Sequence, residues 1–283
     1  FSSLKTSGHY TVRIGGISSL PFNIGNDIYN PLIPKSLTFF RVQRCGNNSP
    51  LKHKVCHLKD GFAAGGWHDA GDYLKFTITT AATINLMLTA YDRHPAAFKD
   101  ANSNRRPDVL DESLIGLDWL YRMWDPSHSI LYYQVGDESD HEKWRMPDVD
   151  DKNGVVRKVY SCAPGKGANV AGKVAASLAL ASMIWKDPQK SFSDPVLADK
   201  YLTAAKQIYD FGKKHQATQP GNPFYNETSW RDDMALAAIE LYRATHTAAY
   251  LNDARSFGKS AQNGWTMDWS EMHSLAHYEI GRT

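Results

Sequence analysis

Asp69 and Asp72 stand three apart in the stretch Gly65-Gly66-Trp67-His68-Asp69-Ala70-Gly71-Asp72-Tyr73-Leu74-Lys75-Phe76. With only Ala70 and Gly71 between them, both carboxylates can face one cavity from a single tight turn, while Trp67 and Tyr73 offer flat faces. Hydrolysis of a sugar acetal uses such equipment: a carboxylate to activate water, and aromatic surfaces on which a pyranose stacks. A bare D-x-x-D also occurs as an acidic, glycine-containing surface turn, so the spacing alone leaves both readings open.

A second constellation overlaps the first. Cys45, Cys56-His57 and His68 follow the spacing Cys-x10-Cys-His-x10-His. Two thiolates and two imidazoles form the closed tetrahedral set that structural zinc prefers. The same residues could equally be a buried thiol pair with surface histidines, since the spacing is not that of a common zinc finger. Because His68 precedes Asp69, and neighbouring side chains of an extended turn diverge, a metal behind the loop could fix His68 while the carboxylates face a cleft. Cys162 has no partner in this scheme.

These loops need elements to hold them. Residues 9–24 alternate as strands do, with Tyr10, Val12 and Ile14 on one face and a turn at Gly15-Gly16. Residues 30–36, with Pro31 and Pro34, read as a linker. Beyond Phe76 the period becomes helical, predicting helices over Thr77–Arg93, Val109–Met123, Val170–Trp185, Pro195–Lys214, Asp232–Thr245 and Ala249–Asn263, and from about Ser270. Asp194-Pro195, and Ser229 near Asp232, supply N-terminal caps and first-turn acids. Residues 125–168 form a polar, glycine-bearing stretch too long for a mere connector, and no strand pattern stands out after Phe76.

The formal net charge of +2, without a Lys/Arg block, argues against a nucleic-acid partner. No apolar run reads as long enough to span a bilayer, which argues against a membrane partner. Three cysteines argue against a disulfide scaffold. Eight Trp and fourteen Tyr suit a carbohydrate binder and a large helical core alike.

Beyond the Asp69–Asp72 loop, four further blocks lie along the chain. They are Pro107-Asp108-Val109-Leu110-Asp111-Glu112 with Leu117-Asp118-Trp119-Leu120; Gln134-Val135-Gly136-Asp137 with Asp140-His141, Trp144 and Pro147; Asn169-Val170-Ala171; and Asp232-Asp233-Met234-Ala235 leading to Leu241-Tyr242-Arg243-Ala244-Thr245. In this order they resemble the catalytic domain of glycoside hydrolase family 9, the inverting cellulases. The resemblance implies a mainly α fold, part of an (α/α)6 toroid or barrel over residues 37–283, preceded at 1–36 by the end of an immunoglobulin-like β-sandwich and its linker. It implies an endo-β-1,4-glucanase acting on cellulose or related β-glucans, in a secreted, periplasmic or cell-surface location. Leu74, where the family pattern usually has Gly, fits a variant subgroup. An exo-acting enzyme on cello-oligosaccharides or glucosamine oligomers, and a non-catalytic carbohydrate-binding remnant, are the alternatives.

The resemblance also assigns residues. Asp72 becomes the general base and Asp69 its helper on the same water, a choice that physics alone does not make. His141 and Trp144 become sugar-binding residues, with Tyr225 and Trp265 as cleft-lining aromatics or core residues. Cys45, Cys56, His57 and His68 match a zinc site of the family. Asp232 and Asp233, with Thr228, Ser229 and Glu271, stand where some members bind calcium, although first-turn acids also satisfy a helix dipole. The family's general acid is a glutamate beyond Thr283; Glu112, Glu138, Glu227 and Glu271 match no such motif. The residues 1–283 alone are therefore expected to be inactive or nearly so.

Overall fold

The strand-like and helical stretches of the sequence separate into two units of the computed structural model, Phe1–Phe39 and Phe40–Thr283. Residues 3–48, 53–221, 223–261 and 267–283 are described. In the first unit β1 (Gly8–Tyr10) pairs antiparallel with β4 (Phe22–Ile24), Gly8 facing Ile24, and β2 (Arg13–Ile14) pairs with β3 (Ile17–Ser18). Gly15 turns between β2 and β3 at a φ of +60°. Ile14, Ile17 and Leu20 are exposed. The described residues form two-stranded pairs here and no sandwich.

The stretch read as a linker is instead the start of α1 (Leu32–Gln43), which carries the chain into the second unit. Pro34 sits in its first turn, where a missing N–H forfeits no helical hydrogen bond.

In the second unit α2 (Thr77–Arg93) and α7 (Pro195–Lys214) run as the period predicts. The others are α3 (Asp108–Arg122), α6 (Ala168–Lys186), α8 (Arg231–Thr245), α9 (Ala248–Ser260) and α10 (His273–Gly281). Asn263, expected to end α9, lies outside the described residues. Asp194 caps α7, its carboxylate accepting from the Leu197 N–H at 2.9 Å. In packing, α3, α2, α6, α8 and α10 follow one another, while α7 lies on α6 and α9 on α8. α6 is buried over nearly its whole surface, whereas α7 and α9 keep one polar face. α6 is also long and apolar enough to cross a membrane, contrary to the sequence reading, but 94% of its apolar window is buried among its neighbours, as in a core helix.

The sequence reading missed a small sheet. β7 (Ile130–Val135) pairs antiparallel with β5 (Lys75–Phe76), β6 (Trp124–Asp125) and β8 (Val159–Ser161). β7 reads Ile-Leu-Tyr-Tyr-Gln-Val and is largely buried, so it lacks the in–out alternation that marks a half-exposed strand. Its partners β5 and β6 are too short to carry a period. From β7 the chain enters α4 (Glu138–His141) and α5 (Pro147–Lys152), which bring the 125–168 segment back over the Asp69–Asp72 turn.

Candidate active site and metal cluster

The turn is anchored at both ends. The His68 N–H donates to the Gln43 carbonyl at 2.7 Å, the Cys45 N–H to the Gly66 carbonyl at 2.9 Å, and the Asp69 N–H to the Leu74 carbonyl at 2.8 Å. Gly66 takes a φ of +71°, and a Cβ there would meet the Trp119 ring at 2.6 Å, so only glycine fits. Gly71 likewise lies against the Trp144 ring, 2.7 Å from where a Cβ would stand.

The two carboxylates have different partners. Asp72, 7% exposed, has Oδ2 2.7 Å from His141 Nδ1, which must donate to a carboxylate there, and Oδ1 3.3 Å from the Leu74 N–H. The Arg157 guanidinium holds the Asp72 carbonyl at 3.1 Å. Asp69 accepts from the Thr79 hydroxyl at 2.9 Å on Oδ1 and from the Tyr225 hydroxyl on Oδ2. Burial pushes the Asp69 carboxyl above its ordinary range; the two hydroxyls oppose that, and the Asp72 charge adds to it. Burial, and then Asp69 itself, raises the Tyr225 phenol.

An aromatic rim surrounds the pair. Trp144 is 65% exposed, with its ring centroid 6.1 Å from His141, which lies 5.2 Å from Phe224. Tyr225 packs 4.8 Å from Phe76 and 5.0 Å from Trp269. His141, Trp144 and Tyr225 therefore come together around Asp69 and Asp72, whereas Trp265 lies outside the described residues. Sequence reasoning missed Thr79, Phe224 and Trp269. The only sequence signal for Trp269 is a second tryptophan close after Trp265.

Behind the turn, Cys45, Cys56, His57 and His68 are buried, with their ligand atoms all within 4.8 Å of one another. His57 Nδ1 lies 3.2 Å from His68 Nε2 and 3.6 Å from Cys45 Sγ, and Cys56 Sγ lies 3.9 Å from His68 Nε2. The outward His57 Nε2 faces Asp150 Oδ2 at 3.4 Å. Burial holds His68 down to about 4, so its ring is neutral at pH 7. A hydrogen bond from Cys56 draws the Cys45 thiol well below its usual range, against burial and helped by the Lys75 charge. Lys75 Nζ stands 3.4 Å from Cys45 Sγ.

Asp150 ties these parts together. Burial would raise its carboxyl, but Arg145 and Arg157 more than offset that and hold it low. Arg145 also reaches Asp140, one residue before His141, at 2.9 Å, so a single buried carboxylate links the Cys/His cluster, the His141 helix and, through Arg157, the Asp72 backbone.

Some oxygens of the residues expected to hold calcium have other partners, while Asp232 Oδ1 and Asp233 Oδ2 have no hydrogen-bond partner. Asp233 Oδ1 is 2.5 Å from the Lys173 ammonium, Asp232 Oδ2 accepts from the Met272 N–H at 2.9 Å, the Ser229 hydroxyl accepts from the Arg231 N–H at 3.3 Å, and Glu271 faces His273 at 3.1 Å. Thr228 is exposed. Among the described His, Cys, Asp and Glu residues, the Cys/His cluster is the set whose ligand atoms converge on one point. Of the glutamates considered as an acid, Glu112 is buried between Arg44 and the Trp67 indole, and Glu227 holds Lys173.

The family model for glycosyl hydrolase family 9 matches residues 29–281. The chain belongs to that family. Endoglucanase A of Bacillus pumilus is 31% identical over 268 residues, 88% of this chain and 38% of that protein. Endoglucanase 18 of Oryza sativa subsp. japonica is 30% identical over 240 residues, 79% of this chain and 44% of that protein. The crystal structure of a C. cellulolyticum cellulase in complex with cellobiose superposes with a TM-score of 0.77 at 28% identity, over 92% of this chain and 62% of that one. This chain thus spans less than half the length of the two curated relatives. Its helical unit matches part of the family's (α/α)6 barrel, as expected from the sequence.

Proposed function

We propose that this chain carries the base side of an inverting β-1,4-glucanase active site, with Asp72 as general base and Asp69 as its helper on one water. The observation that carries the reading is the unequal pair. Asp72 is held by an imidazole and a backbone N–H, while Asp69 is held by two hydroxyls and its carboxyl is raised by burial. Two neighbouring carboxylates with different hydrogen-bond partners suit different tasks on one water. In the reaction, Asp72 takes a proton from the water as its oxygen bonds to the anomeric carbon, and the glycosidic C–O bond breaks on the opposite face. The departing oxygen needs a proton from an acid roughly 6.5–9.5 Å away.

His141 and Trp144 are the proposed sugar contacts, one for hydroxyls and one for stacking, with Tyr225 along the same rim. Cellulose-type β-glucan or its oligosaccharides fit as substrate, supported by the endoglucanase names of the relatives and the cellobiose held by the C. cellulolyticum enzyme. Such a polymer does not enter cells, which favours a secreted or cell-surface location. The paired strands of residues 8–24, with their exposed apolar face, are assigned to the end of an immunoglobulin-like domain.

Zinc is the proposed occupant of the Cys/His cluster. Tetrahedral bonds of about 2.0–2.1 Å to nitrogen and 2.3 Å to sulfur would separate N from N by about 3.3 Å and S from N by about 3.6 Å. The separations of 3.2, 3.6 and 3.9 Å fit that set. Asp150 on the far nitrogen of His57 is the carboxylate partner that ligating histidines usually have. The ion would brace the loop and take no part in the bond cleavage.

The test uses a protein that carries this chain together with the remainder of the enzyme. On a soluble β-1,4-glucan, Asp72→Asn should remove nearly all turnover while leaving oligosaccharide affinity close to wild type. Fresh product should carry the inverted anomer by proton NMR. Near-normal turnover in Asp72→Asn, or a retained anomer, would overturn the reading.

A further inference from the structure

α6 and α8 approach so closely that a Cβ on Gly172 would fall 2.5 Å from the Asp233 carbonyl carbon. The next residue, Lys173, is wholly buried in mid-helix. Its ammonium lies 2.5 Å from Glu227 Oε1 and 2.5 Å from Asp233 Oδ1, while Asn169 Nδ2 donates to the other oxygen of Glu227 at 2.5 Å. Asp232 and Asp233 occupy the first turn of α8. A buried ammonium is tolerated only where anions compensate it, and buried carboxylates need a cation or donors in return. Burial raises the Glu227 and Asp233 carboxyls, and the Lys173 charge opposes it in both.

We propose that the Lys173 ammonium is the built-in cation of this acidic pocket, so that the start of α8 is held without calcium. Calcium needs six to eight oxygens at about 2.3–2.6 Å. An ion that close to both Glu227 Oε1 and Asp233 Oδ1 would overlap the Lys173 nitrogen, which stands 2.5 Å from each. A divalent charge beside a buried ammonium is also strongly repelled at the low dielectric of the interior. The remaining oxygens are dispersed, Ser229 on the Arg231 N–H and Glu271 on His273. Asp232 Oδ1 and Asp233 Oδ2 keep no hydrogen-bond partner, so they are the oxygens a divalent ion would recruit if it bound beside the lysine. This inference is independent of the hydrolytic reading.

The experiment titrates calcium chloride into the full chain and follows thermal unfolding. The Cys/His cluster, with its soft ligands, does not respond to calcium. A calcium site filled at a hundredfold its Kd would raise Tm by roughly 5 °C. The wild type should show no such rise, and Lys173→Gln should have a lowered Tm that calcium partly restores, with restoration lost in Lys173→Gln/Asp233→Asn. A calcium-dependent rise in the wild type that Asp233→Asn abolishes would overturn the proposal, as would Lys173→Gln with unchanged Tm and no response to calcium. If Lys173→Gln does not fold with or without calcium, the wild-type titration and Asp233→Asn decide alone.

Discussion

Replacing Tyr225 by Phe removes one hydroxyl and leaves the ring between Phe76 and Trp269. That hydroxyl donates to Asp69 Oδ2, and the Thr79 hydroxyl serves Oδ1. A hydrogen bond to a charged group contributes about 1.5–3 kcal/mol and one to a neutral group about 1 kcal/mol. Losing it should therefore raise the Asp69 carboxyl by about one pKa unit, since one unit is about 1.4 kcal/mol. The sign follows from the direction of the existing shift. Asp69 is already raised in the folded state, so its protonated form is favoured there, and its contribution to stability declines as pH rises through its folded value. Without the Tyr225 hydroxyl the ionised form is penalised further. The destabilisation of Tyr225→Phe should be small at about pH 3, where Asp69 is protonated, and larger by about 1–2 kcal/mol at pH 8. Urea unfolding of the chain at the two pH values measures this directly, and a side-chain carboxyl NMR titration of Asp69 gives the shift itself. A destabilisation independent of pH, or an unmoved Asp69 titration, would refute the reasoning that this phenol is held by an ionised carboxylate. In the active enzyme the acid limb of the rate profile should move up in the same variant.

Glu240 is pushed up to about 7 by burial, against Arg243 and aided by Glu279, from an ordinary 4.5. Its contribution is full below about pH 4.5 and is lost as pH rises through 7, so the stability gap between wild type and Glu240→Gln should change by about 3 kcal/mol across that window in denaturant melts. Protein purified without chelator should hold about one zinc by elemental analysis, and Cys56→Ser should lose that zinc and much of its stability while changing oligosaccharide affinity less. Gly172→Ala should lower stability by about 1–3 kcal/mol, because its Cβ would press on the Asp233 backbone and force the two helices to shift. Trp144→Ala should weaken oligosaccharide binding, read by calorimetry, with little change in Tm because the ring is largely exposed.

The amino-acid sequence by itself determined whatever depends on local period and on spacing within one segment. Apolar residues at helical spacing and the Asp194-Pro195 cap set α2 and α7 at their observed ends. A spacing of three, with only Ala70 and Gly71 between the carboxylates, is enough to put Asp69 and Asp72 in one turn, and two cysteines and two histidines between Cys45 and His68 are close enough to converge. Tertiary structure decided which distant groups complete those sets. β7 is recognisable only once its buried partners are in place, and α1 begins at Leu32 because Pro34 falls in a first turn, which the pair of prolines does not reveal. Thr79 comes to Asp69 from the next helix, Tyr225 from 156 residues away, and Lys173 to Asp233 because Gly172 lets two helices touch. Long-range pairing of this kind leaves no period in the chain. It follows from burial, since a carboxylate, phenol or ammonium that leaves water must find its partner wherever the packing of helices provides one.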